Sequence, residues 1–392
     1  MKHDNKTIYA DYQATTPVDP RVVGKMAPYW QESFGNPHSS DHIVGWQAAK
    51  AVDHSKTTLA GLIGADPDEI IFTSGATEAN NLALFGLARR ASPGQRAIIV
   101  GATEHKCVLG AARALEAREK FTVRQIPVDK EGFIDLDVLA YQLDKTTLVV
   151  SIMAVNNEVG TIQDIPRIAE LAAERGALLH CDAAQGACAL DMSRLADHAD
   201  LISLSGHKMY GPQGIGALYI RRDIQARVEP LIYGGGQQSD LRSGTVPVPL
   251  CVGMAAAAEI MQTDEGVTER KRVAGQRDTF VDLLQASVYP VSMNGPTGNR
   301  RHPGNANLQF EGFVAQEILG ALQPHLAAST GSACTSGINE PSHVLRAMGL
   351  SGEEADRSIR FSFGRFTTDA DMVEAAYLVT KTLESLAFAR LT

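Results

Sequence analysis

Between Glu69 and Ile220 short apolar runs alternate with segments of helical period, and that alternation restricts the fold more than any other feature of the chain. Brief apolar runs bounded by turn residues read as buried strands, whereas apolar residues recurring every three or four positions read as helix faces. Strands are expected over Ile70–Thr73, Ala97–Val100, Thr122–Val128, Leu148–Met153, Leu178–Asp182, Leu201–Ser205 and Gly216–Ile220. Helices are expected over Thr77–Arg90, Lys106–Glu119, Leu136–Leu143 and Ile165–Arg175. Strands separated by helices return by crossovers, so the class is α/β, a mostly parallel sheet covered on both faces. Ligands of such sheets gather in the loops beyond the strands' carboxyl ends.

The flanks differ. Ile8–Pro20 is extended and punctuated by proline, and helices follow over Arg21–Trp30 and Val44–Leu62. After the turn Tyr233-Gly234-Gly235-Gly236, one long helical stretch is expected from Pro249 towards Ala286. Short strands at Asn307–Phe310 and Arg360–Phe363 then read as a smaller α+β domain. With 392 residues the chain is long enough for two domains, expected as a large one over 18–258 and a small one over 1–17 and 259–392. Acidic residues outnumber basic ones, 45 to 36, and the net charge of −9 argues against unaided binding to nucleic acid. Met1–Thr7 lacks the apolar core of a signal peptide, and no apolar run is long enough to span a bilayer. A cytoplasmic location is the expectation. The five cysteines form no Cys-x-x-Cys pair, so neither a metal site nor a disulfide framework is expected.

Polar residues cluster where the expected strands end. Ser205-Gly206-His207-Lys208 sets a lysine among hydroxyls and glycine, as an amine that forms a Schiff base with an aldehyde requires; a plain surface lysine is the alternative. In Thr73-Ser74-Gly75-Ala76-Thr77-Glu78 a strand turns through glycine into a helix, whose unpaired N–H groups suit a phosphate, although simple N-capping explains the same residues. Asp182, ending a buried strand, needs a cationic partner such as a protonated pyridine nitrogen, unless it only caps the next helix. Gln185 can reach the same ligand or face solvent. His105 can stack on a ring and move protons, or be structural. Asn156 and Asn157 also follow a strand, where turn formation alone accounts for them.

A second reactive group lies in Ala327–Asn339, a run of small residues around Cys334. Such a run offers no core face, and a cysteine in it is better placed for reaction than for packing; His343 and Arg346 follow soon after it. Arg360 alternates with Phe361 and Phe363 and can grip a carboxylate bidentately, or form an ordinary ion pair.

Taken together, these segments resemble the cysteine desulfurases, a group in the class V branch of the fold-type I pyridoxal phosphate enzymes. The resemblance runs through Asp11–Pro17, Ser74–Glu78, Glu104-His105-Lys106 and Asn156-Asn157-Glu158. It continues through Asp182–Gln185, Ser205–Lys208, Arg242-Ser243-Gly244-Thr245, Gly331–Ser336 and Arg360-Phe361-Ser362. It implies a fold-type I transferase with a mostly parallel seven-stranded sheet and pyridoxal 5'-phosphate bound to Lys208. It assigns the phosphate to Ala76, Thr77, Ser205 and His207, with Thr245 reaching over from the partner subunit of a homodimer. By the same resemblance Asp182 pairs the pyridine nitrogen, Gln185 the ring oxygen, His105 stacks on the ring, and Asn157 and Arg360 bind substrate. The implied reaction takes sulfur from L-cysteine, leaves L-alanine and a persulfide on Cys334, and passes the sulfur to an acceptor protein.

Some positions depart from the members that feed iron–sulfur scaffolds. Ser40 and Ile43 stand where those members have arginine, Arg221–Arg227 is less basic than their acceptor-docking stretch, and the chain stops at Thr392 without their further tail. Gly236-Gln237, Val246–Leu250 and Pro341–Leu345 look more like desulfurases of DNA phosphorothioation systems. Iron–sulfur assembly, tRNA thiolation and DNA phosphorothioation all remain as destinations for the sulfur. A selenocysteine lyase or aminotransferase of the same fold, which would not need Cys334, is the rival enzyme. A phosphate-ligand binding module is the rival without chemistry.

Overall fold

The structure is a computed structural model that describes residues 7–331 and 341–390. A two-residue strand, β1 (Ile8–Tyr9), stands apart from the central sheet, which contains β2 (Ile70–Thr73), β3 (Ala97–Gly101), β4 (Thr122–Ile126), β5 (Thr147–Ser151), β6 (Leu178–Asp182), β7 (Leu201–Ser205) and β8 (Gly216–Ile220). All seven expected strands are found, in the spatial order β2-β8-β7-β6-β5-β3-β4. Only β8 runs against the others, pairing antiparallel with β7 and with β2. The order reverses between β3 and β5, so a crevice opens beyond their carboxyl ends.

Every residue of β5, β6, β7 and β8 is buried, as continuous apolar runs in a doubly covered sheet require. Helices Ala76–Arg89 and Lys106–Glu119 cover one face through Leu82, Leu87, Val108 and Leu115. The other face is covered by helices Ile43–Ile63, Ile165–Glu174 and Val248–Gln262 through Leu59, Ile168 and Met254.

A separate apolar cluster belongs to the second sheet. Its strands β9 (Val291–Met293), β10 (Asn305–Phe310) and β12 (Ser358–Ser362) are antiparallel, in the order β12-β10-β9, and β11 (Leu326–Ala327) pairs with β1. Helices Asp264–Gln285 and Asp369–Ala389 pack on this sheet, and the Phe280 ring lies 5.0 Å from both Phe361 and Phe363. The single helix expected from Pro249 to Ala286 is in fact two. Thr263 is extended between Val248–Gln262 and Asp264–Gln285, with Asp264 and Glu265 in the first turn of the second helix, where its dipole favours acidic groups. The break moves the chain from the first core to the second. From the second sheet the N-terminal segment runs back towards the crevice, with Ser362 N donating to Ala10 O at 2.8 Å.

Candidate active site

A cavity of about 680 Å³ occupies the crevice, lined by residues from the ends of β2, β3, β5, β6 and β7 and from the second sheet. Ten of the twelve residues expected there line it: Ala76, Thr77, His105, Asn157, Asp182, Gln185, Ser205, His207, Lys208 and Arg360. Cys334 lies outside the described residues. Thr245 is exposed and does not line this cavity of its own chain.

Lys208 ends a 3₁₀ turn, Gly206–Lys208, immediately after β7. Its Nζ donates to the carbonyls of Gln13 at 2.5 Å and Ala14 at 2.7 Å. Burial, reinforced by the nearby Arg360 charge, pushes its pKa down to about 8, so a neutral amine is accessible close to neutral pH. His207 lies against Thr15, 3.0 Å from Nδ1 to Oγ1, and burial followed by the Lys208 charge lowers it to about 4.

Across the rim the helix Ala76–Arg89 begins at Gly75, whose φ of 148° is open to glycine but strained for other residues. No side chain caps this helix start, so its first N–H groups are left to a ligand, and the helix dipole favours an anion there. Glu78 accepts from Ser74 N at 2.8 Å and pairs with Arg242 Nε at 2.9 Å. Burial works to raise its pKa, but these partners outweigh it and hold the carboxyl below its usual value. The pair ties the Arg242–Thr245 segment to the helix start.

The middle of the cavity is more deeply buried. Asp182 Oδ1 accepts from Ala184 N at 3.0 Å, and Oδ2 accepts from Asn80 Nδ2 at 2.7 Å. His105 caps the helix Lys106–Glu119, its Nδ1 accepting from Cys107 N at 3.2 Å. His105 is exposed and lines the cavity, and desolvation there lowers its pKa, opposed by the Asp182 charge. Burial pushes the Cys107 thiol up to about 11, which keeps this cavity-lining cysteine protonated and unreactive. Gln185 Nε2 donates to Gln13 O at 2.9 Å. From the second sheet, Arg360 donates through Nη1 to Asn157 O at 2.8 Å, and through Nη2 to Ser329 Oγ and Asp11 Oδ1.

Three contributors escape the sequence reading. Asn80 is fully buried one turn into its helix and reads as a core position of that helix. Asp11 and Gln13 belong to a quoted motif, but only the tertiary fold brings them beside Arg360 and Lys208. The assembled groups can hold an anion at a helix start, a cationic ring atom at Asp182, a carbonyl carbon at Lys208 and a carboxylate at Arg360.

Comparison with known proteins agrees. Residues 8–374 match the family model for aminotransferase class-V. A relative from Rickettsia felis named cysteine desulfurase IscS is 46% identical over 388 residues, covering 98% of this chain and 93% of its own. A solved structure of a NifS-like protein aligns with a TM-score of 0.89 at 33% identity, over 98% of this chain and 100% of that one. A second, described as SspA in complex with cysteine, aligns with a TM-score of 0.80 at 38% identity, over 92% and 99%. Motifs, sheet order and similarity along almost the whole length agree: the chain belongs to the class-V aminotransferase family, among the cysteine desulfurases.

Proposed function

We propose that this chain is a pyridoxal 5'-phosphate-dependent cysteine desulfurase that takes sulfur from L-cysteine, releases L-alanine and passes the sulfur through Cys334 to an acceptor protein. The observation that carries this reading is the Lys208 amine, its pKa lowered to about 8 by burial, at the same rim as a buried carboxylate and an uncapped helix start. That donor set fits the cofactor's aldehyde, ring nitrogen and phosphate in turn. Ala76, Thr77, Ser205 and His207 hold the phosphate, Asp182 the ring nitrogen and Gln185 the ring oxygen. When bound, the cofactor supplies an electron sink for the substrate's Cα.

This chain's own residues do the rest. Arg360 and Asn157 fix the substrate's carboxylate. Lys208 Nζ, aided by His105, takes and returns the proton at the substrate carbon. The Cys334 thiolate attacks the substrate sulfur; an S–S bond forms, the C–S bond breaks, and its electron pair stays on the carbon that becomes alanine. Thr245 completes the phosphate site of the partner in a homodimer. The domain division at 18–258 against 1–17 and 259–392 belongs to the same proposal, and the separate apolar cluster of the second sheet supports it.

Replacing Cys334 by alanine tests the mechanism. Cys334→Ala is expected to keep the visible absorbance of the cofactor-loaded protein while losing alanine and sulfide production from cysteine. Undiminished desulfuration by that variant would sink the reading and favour a lyase or aminotransferase that needs no thiol. The acceptor is identified by following labelled sulfur from cysteine into captured partner proteins.

A further inference from the structure

β2 is an edge strand of the large sheet, and at Phe72 a side chain takes the place of the neighbouring strand it lacks. Gln238 Oε1 accepts from Phe72 N at 2.7 Å, and Gln238 Nε2 donates to Phe72 O at 2.9 Å. Phe72 is 1% exposed, so its backbone groups depend on protein partners rather than water. The backbone that presents this amide is costly. Gln238, Ser239 and Asp240 have φ of 52°, 59° and 61°, three successive residues in the left-handed region without a glycine among them. Such a run persists only where its surroundings fix it. Gln237 Oε1 accepts from Gly244 N at 2.8 Å, and Arg242 closes the other side through its pair with Glu78. The segment therefore grips the chain on both sides of Gly75, before it at Phe72 and after it at Glu78, which also accepts from Ser74 N. Ala76 and Thr77, at the uncapped helix start, lie between the two grips.

We propose that Gln238 is a positioning residue for the phosphate site: its amide fixes the end of β2, so that the N–H groups after Gly75 are set for a phosphate before one binds. The inference rests on the cofactor reading of the cavity and adds a residue that does not line it. A donor set held in place in advance binds more tightly than one ordered by its ligand. The Lys208 turn does not depend on this clip, because its amine is held by the Gln13 and Ala14 carbonyls. Loss of the Gln238 amide accordingly weakens the hold on a phosphate and spares the reaction of the amine with an aldehyde.

Pyridoxal 5'-phosphate and pyridoxal form a pair of probes that differ by the phosphate alone. Their dissociation constants for the cofactor-free full chain are measured by visible absorbance in the wild type and in Gln238→Met, which keeps the length of the side chain and removes its amide. The variant is expected to bind pyridoxal 5'-phosphate roughly tenfold more weakly, the scale of one hydrogen bond, and pyridoxal within about twofold of wild type. Gln238→Asn, with the amide drawn back by one methylene, serves for the same comparison should Gln238→Met fail to fold. A role confined to holding the fold together predicts that both ligands weaken alike, and that result, or unchanged binding of pyridoxal 5'-phosphate, overturns the proposal. Inorganic phosphate, titrated into the same proteins by calorimetry, is expected to bind roughly tenfold more weakly to the variant, and equal binding overturns the proposal as well. Should the wild type form no visible adduct with pyridoxal 5'-phosphate, the cofactor reading is rejected, while the titration with inorganic phosphate still decides the role of Gln238.

Discussion

His180 is fully buried two residues before Asp182, with Nδ1 2.8 Å from Ser151 Oγ and Nε2 3.0 Å from Ser203 Oγ. Burial lowers its pKa to about 4. As pH falls from about 6.5 towards 4, the unfolded chain takes up this proton and the folded chain does not, so stability declines across that window. A shift of this size corresponds to about 3 kcal/mol. His207 and His302, lowered to about 4 and about 3 by burial, add to the same decline. Urea unfolding of the cofactor-free protein at pH 7 and pH 4.5 checks this. His180→Asn is expected to be less stable than wild type at pH 7 and to lose less between the two pH values; an unchanged difference would show that His180 does not titrate on unfolding. At this scale the sequence pointed to Lys208 and Asp182, which the structure brings to one cavity, and to Cys334, which lies outside the described residues. It hid Asn80, because an amide on a buried helix face carries no pattern of its own and acquires meaning only 2.7 Å from Asp182.

Among the elements, β8 binds two sides of the cavity together. Gly216 pairs with Thr73 at the end of β2 and with Ser205 at the end of β7, the strands that lead to the turn proposed to hold phosphate and to Lys208. A Cβ at 216 would lie 2.6 Å from the Gly75 backbone and 2.6 Å from Leu204 O, with no flexible side chain to yield. Gly216→Ala is therefore expected to push the helix start away from the lysine turn, lowering stability by about 1–3 kcal/mol and weakening cofactor binding. Thermal unfolding and titration with pyridoxal 5'-phosphate measure the two effects, and wild-type values for both would remove β8 from this role. The strands themselves were legible because apolar runs in a doubly covered sheet are continuous. The break at Thr263 was not, because good helix formers such as Met261, Gln262, Glu269 and Arg270 continue on both sides of it, and only Asp264-Glu265 signalled a new helix start.

Across the whole molecule, Lys208 is set by the large sheet and Arg360 by the small one, each backed by its own apolar core. Thr245, exposed and away from its own cavity, is proposed to act on a second copy. Thr245→Val alone is expected to bind the cofactor roughly tenfold more weakly, as for a lost hydrogen bond to a charged group. Co-expression with Lys208→Ala should restore one full-affinity site per mixed dimer, because the intact lysine then meets the partner's intact threonine. Absence of restoration would mean that Thr245 acts within its own chain or not at all. Among the described residues no helix is long and apolar enough to cross a membrane.

The reversed direction of β8 also bears on the order of assembly. The parallel neighbours in the sheet are joined through long crossovers, whereas β7 and β8 are consecutive antiparallel strands joined by the turn that carries Lys208. Closing a short loop costs less entropy than closing a long one, and pairings close in sequence form sooner. The β7–β8 pairing and the turn between them need only residues close in sequence, whereas the Lys208 amine finds its acceptors, the Gln13 and Ala14 carbonyls, only when the N-terminal segment is brought against that turn.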